Sequence, residues 1–172
     1  MELKGSENLD EVMREYTPMV YRIAYARLGV REDAEDVSQN VFLRYFKANR
    51  SFESEEHRKA FLIRTAVNCA NSYAKSAWMR HRKFTEELTY ESGLLTDDLA
   101  NEQIERSESR REIMDEVEKL PHKYRTVIYL FYFEDMSTEQ IAKVLKTKDG
   151  TVRSQLTRAR EMLKEKLKGV EI

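Results

Sequence analysis

The stretch STEQIAKVLKTKDGTVRSQLTRAR, Ser137 to Arg160, constrains the fold of this chain more than any other. Its apolar residues recur at three- and four-residue steps on both sides of a very short connection, which predicts two consecutive helices. The first opens with a capping box, Ser137 with Gln140 three residues on, and offers Ile141, Val144 and Leu145 for burial. Ala142 lets the two helices approach closely. On the second, Val152, Leu156, Ala159, Leu163 and Leu167 form a narrow apolar stripe. Opposite it lie Ser154, Thr157, Arg158 and Glu161, with Arg153 and Thr151 on the flanks. This is the pattern of a helix-turn-helix, whose second helix enters the DNA major groove with its N-terminal half. Arg reads guanine bidentately, while Ser, Thr and Gln bind bases or phosphates. Arg153, Ser154, Gln155, Thr157 and Arg158 are therefore the candidate DNA contacts. An ordinary helical hairpin with a charged face fits the same spacing.

Helical periodicity extends over most of the chain. Leu9, Val12, Met13, Tyr16, Val20, Ile23, Ala24 and Leu28 predict a helix interrupted or kinked near Pro18 and ended by Gly29. A second helix is expected from about Asp33 to Lys47, its first turn rich in acid where the helix dipole favours it. The stretch ANRSFESEEH reads as a loop, and a long helix follows from about Arg58 to Lys83. From Arg110 the pattern returns, and Ile113, Met114, Val117 and Leu120 form a stripe stopped by Pro121. KYRTVIYLFYF then suits a buried central helix, apolar on most faces. With five Gly and two Pro in 172 residues, sandwiches and barrels are disfavoured and an all-α chain is expected.

Net charge of −1 conceals segregation: −4 over residues 1–40, +7 over 41–83, −8 over 84–120 and +4 over 121–172. The acidic, weakly periodic stretch 84–109 reads as a flexible linker between two small helical domains, residues 1–83 and 110–172. Basic blocks of this kind suit nucleic acid, since phosphate neutralisation supplies much of the affinity; they also suit solvated helix faces.

Two further faces separate on helical wheels. Along the long helix, Leu62, Ile63, Ala66, Val67, Ala70, Tyr73, Ala74 and Ala77 share one side. Arg64, Asn68, Asn71, Ser72, Lys75 and Arg82 share the other, bordered by Phe61, Trp78 and Met79. Cations, amides and edge aromatics suit single-stranded or distorted DNA, and equally a solvated polar face. In the second helix Ala34, Val37, Val41, Phe42 and Tyr45 can face a core, leaving Asp36, Gln39, Asn40 and Leu43 outside as a protein-docking patch or as scattered surface residues.

No cofactor or metal is expected. The single Cys69 excludes an internal disulfide and reads as a small buried residue; with three scattered His it makes no metal-ligand cluster. No nucleophile–base grouping or phosphate-cradling Gly loop supports an enzyme. The acidic start MELKGSENLDEV and the absence of a long apolar run suggest neither export nor membrane insertion, so a cytoplasmic protein is expected.

In order along the chain, EYTPMVYRIAYARLGVREDAEDVSQNVFLRYF, AFLIRTAVNCANSYAKS and LPHKYRTVIYLFYFEDMSTEQIAKVLKTKDGTVRSQLTRAREMLKEKL resemble the bacterial RNA polymerase sigma factors of the extracytoplasmic-function (ECF) group of the sigma-70 family. No single piece is specific, but the ordered combination is. The resemblance implies a non-enzymatic subunit that joins core RNA polymerase and directs it to promoter DNA. Residues 1–83 would correspond to sigma region 2, 84–109 to the variable linker and 110–172 to region 4. It further implies that Asp36, Gln39, Asn40 and Leu43 bind the polymerase clamp coiled coil. Arg64, Asn68, Asn71, Ser72 and Lys75 would recognise and help open the −10 element, with an adjoining loop capturing an unstacked base. Arg153, Ser154, Gln155, Thr157 and Arg158 would face the −35 duplex, and the acidic linker would thread polymerase channels. Many members are held by an anti-sigma factor wedged between the domains.

The chain departs from the family at several places. Lys146, Thr147 and Lys148 stand where Gly, an apolar residue and Ser are frequent, so Thr147 or Asp149 is expected to cap the recognition helix. Phe61 stands where Trp is frequent, Gln155 replaces a common Arg, and Ser38 is a polar choice in the clamp-facing helix. A stand-alone helix-turn-helix regulator explains the closing motif but not the amide-rich long helix. A sigma-mimicking, polymerase-sequestering protein shares every fold feature.

Overall fold

A computed structural model describes residues 3–4, 9–80 and 108–168. Residue contacts divide the chain into two units, Met1–Glu87 and Leu88–Ile172. Most of the expected linker, residues 84–107, lies outside the described residues, as does Arg82.

In the first unit, α1 (Leu9–Leu28), α2 (Arg31–Ala48) and α3 (Glu55–Arg80) each pack against the other two. Val20, Ile23, Ala24, Val37, Val41, Leu62, Ala66 and Ala70 are buried between them. Full burial of each Val, Leu or Ile contributes roughly 1.5–3 kcal/mol, which makes this shared core the main source of the unit's stability. The helix α1 is continuous through Pro18, so of the expected interruption or kink the interruption does not occur. Proline removes the donor that would serve the Arg14 carbonyl, but packing on both sides keeps the helix whole. Gly29, at φ 69°, ends α1 with its N–H on the Tyr25 carbonyl at 2.8 Å.

The second helix starts at Arg31, two residues earlier than expected, with Val30 providing only backbone at its N-cap. Tyr73 Oη donates to Asp33 Oδ1 at 2.7 Å, tying the start of α2 to α3. The stretch expected as a loop instead carries a short strand, a buried ring and a helix cap. Strand β2 (Ser51–Phe52) pairs antiparallel with β1 (Leu3–Lys4), and Phe52 is buried against Tyr45 and Phe61, their ring centroids at 5.8 and 5.4 Å. Ser54 Oγ then accepts from the His57 N–H at 3.1 Å, an N-cap bond that starts α3 three residues before the expected position. Arg58 is buried beside Phe52, its Nη1 2.6 Å from Glu55 Oε1, and Glu55 Oε2 accepts from Tyr16 Oη at 2.8 Å.

In the second unit, α4 (Glu108–Glu118) and α5 (His122–Ile128) pack on α7 (Asp149–Lys166), as does α6 (Thr138–Leu145). Buried Arg125 donates from Nη1 to the Glu118 carbonyl at 2.7 Å, closing the end of α4. The stretch expected as a buried central helix passes from α5 into a π turn, Tyr129–Phe133. Its five-residue hydrogen-bond spacing advances the side-chain register, so Tyr129 and Leu130 stay buried while Tyr132 is 52% exposed. Among the described residues no helix is long and apolar enough to cross a membrane.

Candidate nucleic-acid and protein interfaces

The helix-turn-helix is built by α6 and α7. Both bonds of the capping box form, Gln140 N–H to Ser137 Oγ at 3.1 Å and Ser137 N–H to Gln140 Oε1 at 2.9 Å. Ile141, Ala142 and Val144 are buried from α6, and Val152, Leu156, Ala159 and Leu167 are buried around α7; Leu145 and Leu163 are half-buried. The turn begins with Lys146 in the left-handed region, φ 55°, and Thr147 N–H reaches the Ala142 carbonyl at 2.9 Å in a Schellman-type end. Lys148 is the N-cap of α7 and supplies no side-chain cap, so neither Thr147 nor Asp149 occupies the capping position expected of it. Asp149 is the first helical residue and turns its Oδ2 to Arg153 Nε at 2.9 Å.

The buried stripe leaves Arg153, Ser154, Thr157 and Arg158 exposed on one side of α7. Arg158 Nη1 lies 3.9 Å from Glu161 Oε2, a loose, solvent-exposed pairing that is easily exchanged for another anion. Gln155 is placed differently: it is half-buried, with Oε1 shielded and without a hydrogen-bond partner among the described residues.

On α3, Arg64, Asn71, Ser72 and Lys75 are exposed and Asn68 is half-buried, spaced so that all five share one face. Asn71 Oδ1 accepts from Arg27 Nε at 2.8 Å, which adds a cation from α1 to the rim of this face. Trp78 is 57% exposed at its far end. Phe61 is half-buried, with the Arg50 guanidinium 5.4 Å from its ring. The side chain of Met79 lies outside the described residues.

Asp36, Gln39 and Asn40 are exposed on α2, and the face carries two apolar side chains: Leu43 at 53% and Phe46 at 51% exposure. Sequence reasoning singled out Leu43 and missed Phe46, although the three-residue spacing contained the signal. Ser38 is not on this face. It is buried and donates from Oγ to the Ala34 carbonyl at 2.8 Å. Cys69 is buried and burial pushes its thiol pKa up, against a smaller opposing pull from Arg44. Among the described residues no cluster of three or more His, Cys, Asp or Glu could hold a metal ion.

Two family descriptions match this chain in order: Sigma-70 region 2 over residues 12–80 and Sigma-70, region 4 over residues 110–163. The chain is 29% identical over 172 residues to the ECF RNA polymerase sigma factor SigW of Bacillus subtilis, covering 96% of this chain and 92% of SigW. It is 32% identical over 143 residues to the ECF RNA polymerase sigma-E factor of Haemophilus influenzae, covering 80% of this chain and 76% of that protein. Among solved structures, the sigma factor RpoE from Bartonella quintana, in complex with the anti-sigma factor NepR, matches with a TM-score of 0.71 at 19% identity, over 96% of this chain and 99% of RpoE. CnrH, in complex with the cytosolic domain of CnrY, has a TM-score of 0.58 at 21% identity, over 97% of this chain and 94% of CnrH. The chain belongs to the ECF RNA polymerase sigma factors of the sigma-70 family, which direct transcription initiation.

Proposed function

We propose that this sigma factor joins core RNA polymerase through α2 and reads promoters at two points, one on each unit. Asp36, Gln39, Asn40 and Leu43, with Phe46 beside them, dock on the clamp coiled coil. Arg64, Asn68, Asn71, Ser72 and Lys75 act at the −10 element, where amides bind the edges of bases that have left the stack. Arg153, Ser154, Thr157 and Arg158 read the −35 duplex, with Gln155 on the groove flank. The observation that carries this reading is the pair of polar faces, on α3 and α7, each set opposite a buried apolar stripe. The subunit itself is non-enzymatic and works in the cytoplasm with the polymerase. RpoE was solved with an anti-sigma factor, which supports a partner of that kind for this chain too.

Division of labour tests the assignment in reconstituted holoenzyme. Arg158→Ala should weaken −35 binding by about 5- to 150-fold, the range for losing one base-reading contact, as read by footprinting. Asn68→Ala should reduce permanganate reactivity at −10 even at saturating holoenzyme. The reverse pattern would overturn the assignment.

A further inference from the structure

A shallow groove beside the recognition helix holds charges that base reading leaves unused. Lys123 and Tyr124 line it from the start of α5, Lys148 from the turn, and Thr151, Gln155 and Arg158 from α7. The cations around this helix fall into two sorts. Arg153 and Arg158 each have a carboxylate in reach, Asp149 and Glu161. Among the described residues neither Lys123 nor Lys148 has one. Lys123 Nζ is instead held 4.9 Å over the half-buried Tyr124 ring, which positions the ammonium without neutralising it. Lys148 stands exposed at the N-cap, where its side chain makes no cap bond. The acid of this turn, Asp149, directs Oδ2 to Arg153.

We infer that Lys123 and Lys148 together bind the phosphodiester backbone of duplex DNA beside the major groove, seating α7 independently of base sequence. Two ammonium groups from different elements line one depression that continues onto Ser154 and Arg158 of the base-facing side. A compact point charge suits a phosphate, which needs no bidentate fork. Gln155 lines the same depression without charge, so the cations there are Arg158 of α7 and the two lysines from outside the helix. The inference rests on α7 being the −35 reader.

The test uses holoenzyme and two probes: a promoter duplex whose start site has been mapped with this holoenzyme, and the same duplex with its −35 element scrambled. Each of Lys123→Gln and Lys148→Gln should lower the slope of log affinity against log salt by about 1, and the double variant by about 2. Both probes should lose affinity by the same factor. Lys123→Arg with Lys148→Arg should keep the slope, and unchanged circular dichroism and melting temperature of the variants control for folding of the second unit. Arg158→Ala should instead reduce discrimination between the probes. An unchanged slope in the double glutamine variant, or a loss confined to the intact promoter, overturns the inference while the −35 reading stands. Unchanged discrimination in Arg158→Ala overturns that reading and the inference with it.

Discussion

Lys146 shows what a single residue contributes to aiming the recognition helix. Its φ of 55° is the conformation that closes α6, and a side chain there carries a steric cost of about 1–2 kcal/mol that glycine lacks. Lys146→Gly should therefore stabilise the second unit by about 1 kcal/mol after glycine's extra unfolded-state entropy is offset, with a melting temperature a few degrees higher. An unchanged or lower value in calorimetry would show that the turn is not strained. In the first unit, burial and then the hydrogen bond to Glu55 raise the Tyr16 pKa above its usual 10.0. A tyrosine that ionises later folded than unfolded stabilises the fold below pH 10, and the contribution is lost as pH rises through the folded value. Denaturant titrations from pH 10 upward should show stability falling with pH, less steeply in Tyr16→Phe. Buried Tyr45, whose pKa burial also raises, keeps the slope from vanishing. Identical slopes would remove Tyr16 from the account.

At the scale of the helix, the wheel patterns of α2, α3 and α7 made the buried stripes legible, because apolar side chains at helical spacing have one low-energy place to go. What escaped was set by other forces. Pro18 predicts an interruption or kink because local propensity disfavours it, yet packing of α1 on α2 and α3 keeps the helix continuous. Phe52 sits in a polar stretch, and its packing on Tyr45 and Phe61, with the strand pairing and the Ser54 cap around it, is long-range structure that local polarity does not show. The π turn at Tyr129–Phe133 changes periodicity within an apolar run, where a 3.6-residue wheel gives no warning. Lys123 and Lys148 meet in one groove only through folding. Phe46 is exposed beside Leu43, and that exposure makes a prediction. Leu43→Ala and Phe46→Ala should each weaken binding to core polymerase by roughly 5- to 30-fold, the range for an interface anchor, with unchanged circular dichroism. Wild-type affinity of both variants in a pull-down titration would take this stripe out of the interface.

Across the whole molecule, the proposed function gives each unit one DNA-reading face, and a single small module binds duplex with limited specificity. Tethering raises the effective concentration of the second reader once the first is engaged, and polymerase fixes the spacing at which both can engage. On that proposal, specific initiation belongs to the holoenzyme, and the free chain should bind promoter duplex weakly. Run-off transcription with purified core polymerase, with and without this chain, on genomic fragments tests that claim most directly. The account predicts discrete start sites that appear only when the chain is added, each preceded by shared −10 and −35 sequences. Tight, specific duplex binding by the free chain with no start sites from the mixture would contradict it.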